Sequence, residues 1–123
     1  MRIPKKCCTF AGKMRIGGEI VQRKAIVQQI APMVHQVAPD AEIVLYGSEA
    51  RGDARLDSDI DLMILLDRPH ISFAEEDAIY APLYELELKY NTLINPLIYT
   101  KSYWEQRPMD YFKYNVQNEG IRL

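Results

Sequence analysis

Apolar residues recur at three- and four-residue spacings from Glu19 to about Val37, at Ile20, Ile26, Val27, Ile30, Met33, Val34 and Val37. That period places them on one stripe of a helix, bent near Pro32 and ended by Pro39-Asp40. The pattern then changes. Ile43-Val44-Leu45-Tyr46 is a short apolar run between turn signals and predicts a buried strand. Gly47-Ser48 breaks it, and Ser48-Glu49-Ala50-Arg51 reads as a helix start with Ser48 as N-cap. Residues 52–58 are polar and loop-like. Asp59 to Leu66 predicts a second strand, apolar except for two carboxylates at its beginning.

Residues 73–90, with Phe73, Ala78, Ala81, Tyr84, Leu86 and Leu88, predict a helix, although Glu85-Leu86-Glu87-Leu88 also alternates as a strand would. Leu93 to Tyr99 predicts a third strand, and Pro96 within it points to an edge or a bulge. Ser102 to Glu105 matches a capping box, Pro108 is expected to open a last helix, and Gly120 to end it. Helix, strand, short helix, strand, helix, strand, helix implies an α/β (α+β) domain, a small mixed sheet of three to four strands packed against helices. The expected division is a flexible tail over residues 1–18 and one domain over residues 19–123, with Met14 an alternative start.

Composition adjusts this picture only slightly. Hydrophobic residues are 48% and charged residues 26% of the 123, as in an ordinary globular domain that buries roughly two-thirds of its surface. The net charge of −2 makes nucleic acid an unlikely partner. The charge is uneven: Arg2, Lys5, Lys6, Lys13, Arg15, Arg23 and Lys24 face one acid, Glu19, in the first 24 residues. A solvated terminus is expected there rather than a phosphate-binding arm. The adjacent Cys7 and Cys8 cannot staple distant segments, so a cytoplasmic setting is expected. The longest aliphatic run, Leu62 to Leu66, is too short to span a membrane.

The candidate chemistry lies in Gly47-Ser48-Glu49-Ala50-Arg51-Gly52 and Ser58-Asp59-Ile60-Asp61-Leu62. Gly47 lets a phosphate chain approach the backbone; Ser48 offers a hydroxyl, and the N–H groups after it open a helix. Asp59 and Asp61, two apart on a strand, leave one face together. Two such carboxylates repel unless a cation sits between them, and hard oxygen ligands suit Mg²⁺ with substrate phosphates. Taken singly, each part has a plainer explanation. Gly-Ser is a common turn, Asp-x-Asp is often a solvated edge, and Arg51 and Arg55 have Asp53, Asp57 and Asp59 to pair with.

Taken together, these residues resemble the signature of the minimal nucleotidyltransferases of the DNA polymerase beta superfamily. The resemblance implies a nucleotidyltransferase fold in which Gly47 and Ser48 hold the triphosphate and Asp59 and Asp61 are Mg²⁺ ligands. It puts Arg51 on phosphate or on a carboxylate. It further implies transfer of NMP, AMP from ATP first among them, to a hydroxyl acceptor. In that family a third carboxylate generally comes from the next strand; here Ile94-Asn95-Pro96 carries Asn95 at that position. Nucleotide binding is then expected to survive better than catalysis, unless Glu85 or Glu87 supplies the charge. A catalytically weak nucleotide- or partner-binding module is the alternative function. Members of the minimal family often act as antitoxins beside a small helical protein of the HEPN type. A partner or second copy is therefore expected, in a homo- or hetero-oligomer.

Other candidates are weaker. His35 and His70 show no zinc spacing. Tyr103, Trp104, Tyr111, Phe112 and Tyr114 cluster near the C-terminus, fit for core packing or for a partner surface.

Overall fold

The helical and strand periods separate along the chain into α1 (Gly18–Val37), β1 (Glu42–Tyr46), α2 (Ser48–Arg51), β2 (Ile60–Leu66), α3 (Phe73–Tyr90), β3 (Ile94–Thr100), α4 (Lys101–Gln106), α5 (Tyr111–Glu119) and β4 (Ile121–Arg122). This computed structural model describes residues 18–55 and 57–123, with side chains from Arg23 onward. The expected tail, with Cys7, Cys8 and most of the basic cluster, lies outside the described residues, as does the side chain of Ile20. The strands form one mixed sheet in the order β3-β2-β1-β4. β1 runs antiparallel to β2 and β4, and the α3 crossover brings β3 parallel to β2.

Alternation along β2 divides the core in two. Ile60, Leu62, Ile64 and Leu66 join Ile43 and Leu45 of β1 against Ile26, Ile30 and Val34 of α1 and Ile79, Leu83 and Leu86 of α3. Met63 and Leu65 face the other way, onto Trp104 and Val116, with Val44, Tyr46, Leu97, Tyr99 and Phe112 around them. A strand covered on both faces needs no polar positions, hence the unbroken apolar run from Leu62 to Leu66. Asp61 shares the parity of Met63 and Leu65, so it lies on the α4–α5 face, at the mouth of that layer.

Several local expectations change. Asp59 precedes β2 rather than opening it. Ser48 is the first helical residue, not the cap; Gly47 holds the N-cap position without a side-chain hydrogen bond. The capping box sits at Ser72, whose hydroxyl accepts from Glu75 N at 3.1 Å while its own N–H donates to Glu75 Oε1 at 2.7 Å. At Ser102 the cap is instead Thr100, accepting from Tyr103 N at 3.1 Å. Pro108 stays in the connection, and Asp110 caps α5 through Lys113 N at 2.8 Å. At α4 and α5 a side chain two residues before or after the expected position, Thr100 or Asp110, takes the cap, whereas at α2 the glycine turn sets the helix start without one. Pro96 lies on the edge strand β3, and Gly120 ends α5 as expected. Gly120 does so with φ −64°; a Cβ would meet Val116 O at 2.4 Å and Val44 Cγ1 at 2.7 Å, so close packing selects glycine there. β4, only two residues long, has no readable period.

Arg23 is buried, not part of a solvated terminus. It shares the α1 stripe with Ile26, Val27 and Ile30, and donates to Glu49 Oε1 at 2.8 Å and Ser58 O at 2.9 Å. None of the described helices is long and apolar enough to cross a membrane.

Candidate active site at the mouth of the sheet

Three side chains stand in register across the sheet edge. Tyr46 pairs with Asp61 across the antiparallel ladder, and Asp61 with Asn95 across the parallel one. Asn95 Nδ2 donates to Asp61 Oδ1 at 3.3 Å. The second carboxylate oxygen lies under Gly47, where a Cβ would stand 2.5 Å from Asp61 Oδ2. Gly47 adopts φ 78° and ψ −155°, a region in effect restricted to glycine. Both its conformation and its neighbour therefore exclude a side chain, and its backbone passes directly over the acid.

Asp59 is held just outside the strand by a fixed loop. Ser58 Oγ accepts from Arg55 N at 2.8 Å, and the Ser58 carbonyl takes the Arg23 guanidinium at 2.9 Å. Ile60 N donates to Leu93 O at 2.9 Å, which starts the parallel ladder on the next residue. Arg23 thus joins α1 to α2 and to the segment preceding Asp59. Its signal was present in the sequence, an arginine on an otherwise apolar stripe.

Burial raises the pKa of the Asp61 carboxyl, and the Asp59 charge adds to this; the Asn95 hydrogen bond and the Arg51 charge pull it back down. The Tyr46 phenol is pushed up to about 12, chiefly by burial, then by the Asp61 charge and by Tyr99. Negative charge is therefore disfavoured along this row unless a cation or a donor offsets it.

Arg51 stands at the end of α2. Its Nε donates to Asp53 Oδ2 at 3.3 Å, and Nη1 to Glu119 Oε1 at 3.0 Å. The same Glu119 oxygen accepts Gly47 N at 3.1 Å. Glu119, the last residue of α5, has no sequence signal, since 72 residues separate it from Gly47. The surface pairings also occur: Arg55 lies 3.9 Å from Asp57, with both side chains exposed. Glu87 is turned to Ile94 N at 3.0 Å, and Glu85 is exposed on α3. Neither replaces Asn95 in the row. Among the described residues no three carboxylate, histidine or cysteine side chains converge as a metal cage. His35 caps the Ala41 carbonyl at 2.9 Å, and His70 is exposed in a loop.

Comparison with known proteins bears on this geometry. The profile of the nucleotidyltransferase domain family matches residues 26–123. Two proteins of Methanocaldococcus jannaschii are similar. "Putative protein adenylyltransferase MJ0141" is 38% identical over 81 residues, 66% of this chain and 76% of its own. "Putative protein adenylyltransferase MJ0604" is 33% identical over 79 residues, 64% of this chain and 73% of its own. Among solved structures, a "toxin-antitoxin with AMP-PNP" superposes with a TM-score of 0.55 at 17% identity, covering 77% of this chain and 69% of that one; it shares the fold.

Gly47→Ala tests the close approach. The residue's φ and the contact with Asp61 each resist a Cβ, so we expect a loss on the order of 1–3 kcal/mol in urea unfolding. An unchanged midpoint would mean that the turn relaxes without strain.

Proposed function

The chain belongs to the nucleotidyltransferase domain family, and on that premise we propose that it transfers AMP from ATP to a hydroxyl acceptor, with Mg²⁺ held by Asp59 and Asp61. The observation that carries this reading is the contact of Gly47 with Asp61, which joins the glycine turn and the acid in one site. The donor set fits a hard cation: two carboxylates two residues apart, one of them penalised by burial and by the other's charge. Mg²⁺ bound there would supply charge neutralisation for the phosphates and orient them.

The chain's own groups do the rest. The backbone of Gly47 and the hydroxyl of Ser48 hold the β- and γ-phosphates, and the Arg51 guanidinium balances their charge. The acceptor oxygen attacks the α-phosphorus, the bond from that phosphorus to the bridging oxygen breaks, and pyrophosphate leaves. Asn95 orients Asp61 by its hydrogen bond, but an amide cannot take the acceptor proton, which passes to water at this open edge.

A second reading, a nucleotide-binding module with slow transfer, is favoured by the same Asn95–Asp61 contact, because an amide stands beside Asp61 where a third acid would be. For partners, we propose a helical protein of the HEPN type seated on the face of α4 and α5. Trp104 is buried and Phe112 partly so, edge-on at 6.0 Å, whereas Tyr103, Met109, Tyr111 and Tyr114 are exposed. The structural neighbour, a toxin-antitoxin with AMP-PNP, supports a protein partner in general, and the HEPN type rests on the family resemblance.

Three outcomes follow. Replacing Asp59 and Asp61 together by Asn is expected to abolish Mg²⁺-dependent ATP binding with the fold intact; calorimetry that finds the wild-type affinity would remove the metal assignment. Asn95→Asp is expected to speed transfer, or the slow background hydrolysis of ATP, at least tenfold with little change in affinity, since one charge contact in a preorganised site is worth on the order of 3 kcal/mol. No change in an already fast enzyme would place the third ligand elsewhere. The partner surface predicts an oligomer in light scattering that Tyr111→Ser with Tyr114→Ser weakens; a strict monomer with no copurifying helical protein counts against it.

A further inference from the structure

Glu119 stands where the proposed site needs to receive an anion. Its carboxylate accepts the Gly47 N–H at 3.1 Å and the Arg51 Nη1 at 3.0 Å through the same oxygen, Oε1. These are two of the three residues that the nucleotidyltransferase reading gives to the β- and γ-phosphates. The Glu119 side chain is 23% exposed and that of Arg51 47%, so an incoming anion has access to the guanidinium. A carboxylate and a phosphate oxygen ask for the same donors, and they cannot both lie on one N–H.

We infer that Glu119 is an internal competitor of the β- and γ-phosphates, displaced from Gly47 and Arg51 when a triphosphate binds. The inference rests on the reading above and deepens it. Displacement costs the ligand part of its affinity. The same competition operates after transfer, when pyrophosphate is the anion on Gly47 and Arg51 and the returning carboxylate favours its departure. Glu119 is then a positioning residue for release as well as for selectivity. A nucleoside monophosphate, lacking β- and γ-phosphates, does not reach these donors and is indifferent to it.

The backbone around Glu119 is pinned, so the movement belongs to the side chain. Gly120 N donates to Val116 O at 2.8 Å, and Leu123 N to Ile43 O at 2.9 Å. Rotation of the glutamate about its own bonds clears the donors without unwinding α5. Asp53 remains on Arg51 Nε, which keeps the guanidinium aimed while its other edge is vacated.

Calorimetric titrations of Mg·ATP, Mg·pyrophosphate and AMP into wild type, Glu119→Gln and Glu119→Ala, at one ionic strength, test this. Both variants are expected to bind ATP and pyrophosphate about tenfold more tightly, the worth of one charge-assisted hydrogen bond, with AMP unchanged. Equal or weaker binding of ATP and pyrophosphate in the variants overturns the inference, as does equal tightening of AMP, which would reflect only the loss of a negative charge. If neither wild type nor variants bind Mg·ATP, the nucleotidyltransferase site assignment falls and this inference falls with it. Two variants are used because the amide keeps the shape of the glutamate, while alanine removes the acceptor altogether.

Discussion

The close approach of the Gly47 backbone to the Asp61 carboxylate is the constraint from which the rest of the site follows. With only 2.5 Å between a notional Cβ and Oδ2, no other residue fits at position 47 without movement of the acid or the turn. The approach is possible because β1 ends at Tyr46, in register with Asp61 one residue into β2. It therefore depends on the antiparallel pairing of β1 with β2, and so on the cores that hold both strands. A slip of one residue would turn Asp61, with Met63 and Leu65, into the α1–α3 face among Ile26, Ile30 and Leu83, an aliphatic layer in which a carboxylate is costly.

The two faces of the sheet divide the labour. The α1–α3 side is aliphatic and closed, and supplies register. The α4–α5 side is aromatic and incomplete at its mouth, so the outermost row can be polar: Tyr46, Asp61 and Asn95 in place of further apolar residues. Burial still reaches that row, which is why Asp61 and Tyr46 both resist ionisation. A group that is costly to ionise and stands beside Asp59 gains from an incoming cation or donor. The electrostatic strain is thus left in the free protein, where ligand binding can relieve it.

Much of this was legible in the sequence, and what was not has physical reasons. The strand–glycine–acid pattern was readable because each part is local: an apolar run, a chain break, an alternation of two. The place of Asn95 came from the family resemblance, which expects a third acid at that position of the next strand, and the parallel pairing of β2 with β3 sets it beside Asp61. The helix caps were misread at Ser48, Ser102 and Pro108 because a glycine turn, or a Thr or Asp that reaches the first free N–H, sets the helix start, and a shift of one or two residues is invisible to periodicity. β4 was missed because two residues carry no period. Glu119 was beyond reach for another reason: its role exists only once 72 residues of chain have folded back to Gly47.

That return is secured by elements with no chemistry of their own. Lys113, buried on α5, donates to Glu105 O at 3.3 Å and Arg107 O at 2.7 Å, and its ammonium lies 5.7 Å from the Trp104 ring centre. Those carbonyls end α4, so one cation closes one helix and anchors the next. Asp110 fixes the start of α5 and also takes Arg107 at 2.8 Å. At the far end Gly120 sits against Val44, on the strand that ends at the site. α5 is therefore a strut fastened at its first turn to α4 and at its last residue to β1. A strut so held delivers Glu119 to Gly47 at a defined height and leaves freedom only in the side chain. It also means that whatever touches Tyr111 or Tyr114 on its outer surface touches the same helix that carries the carboxylate.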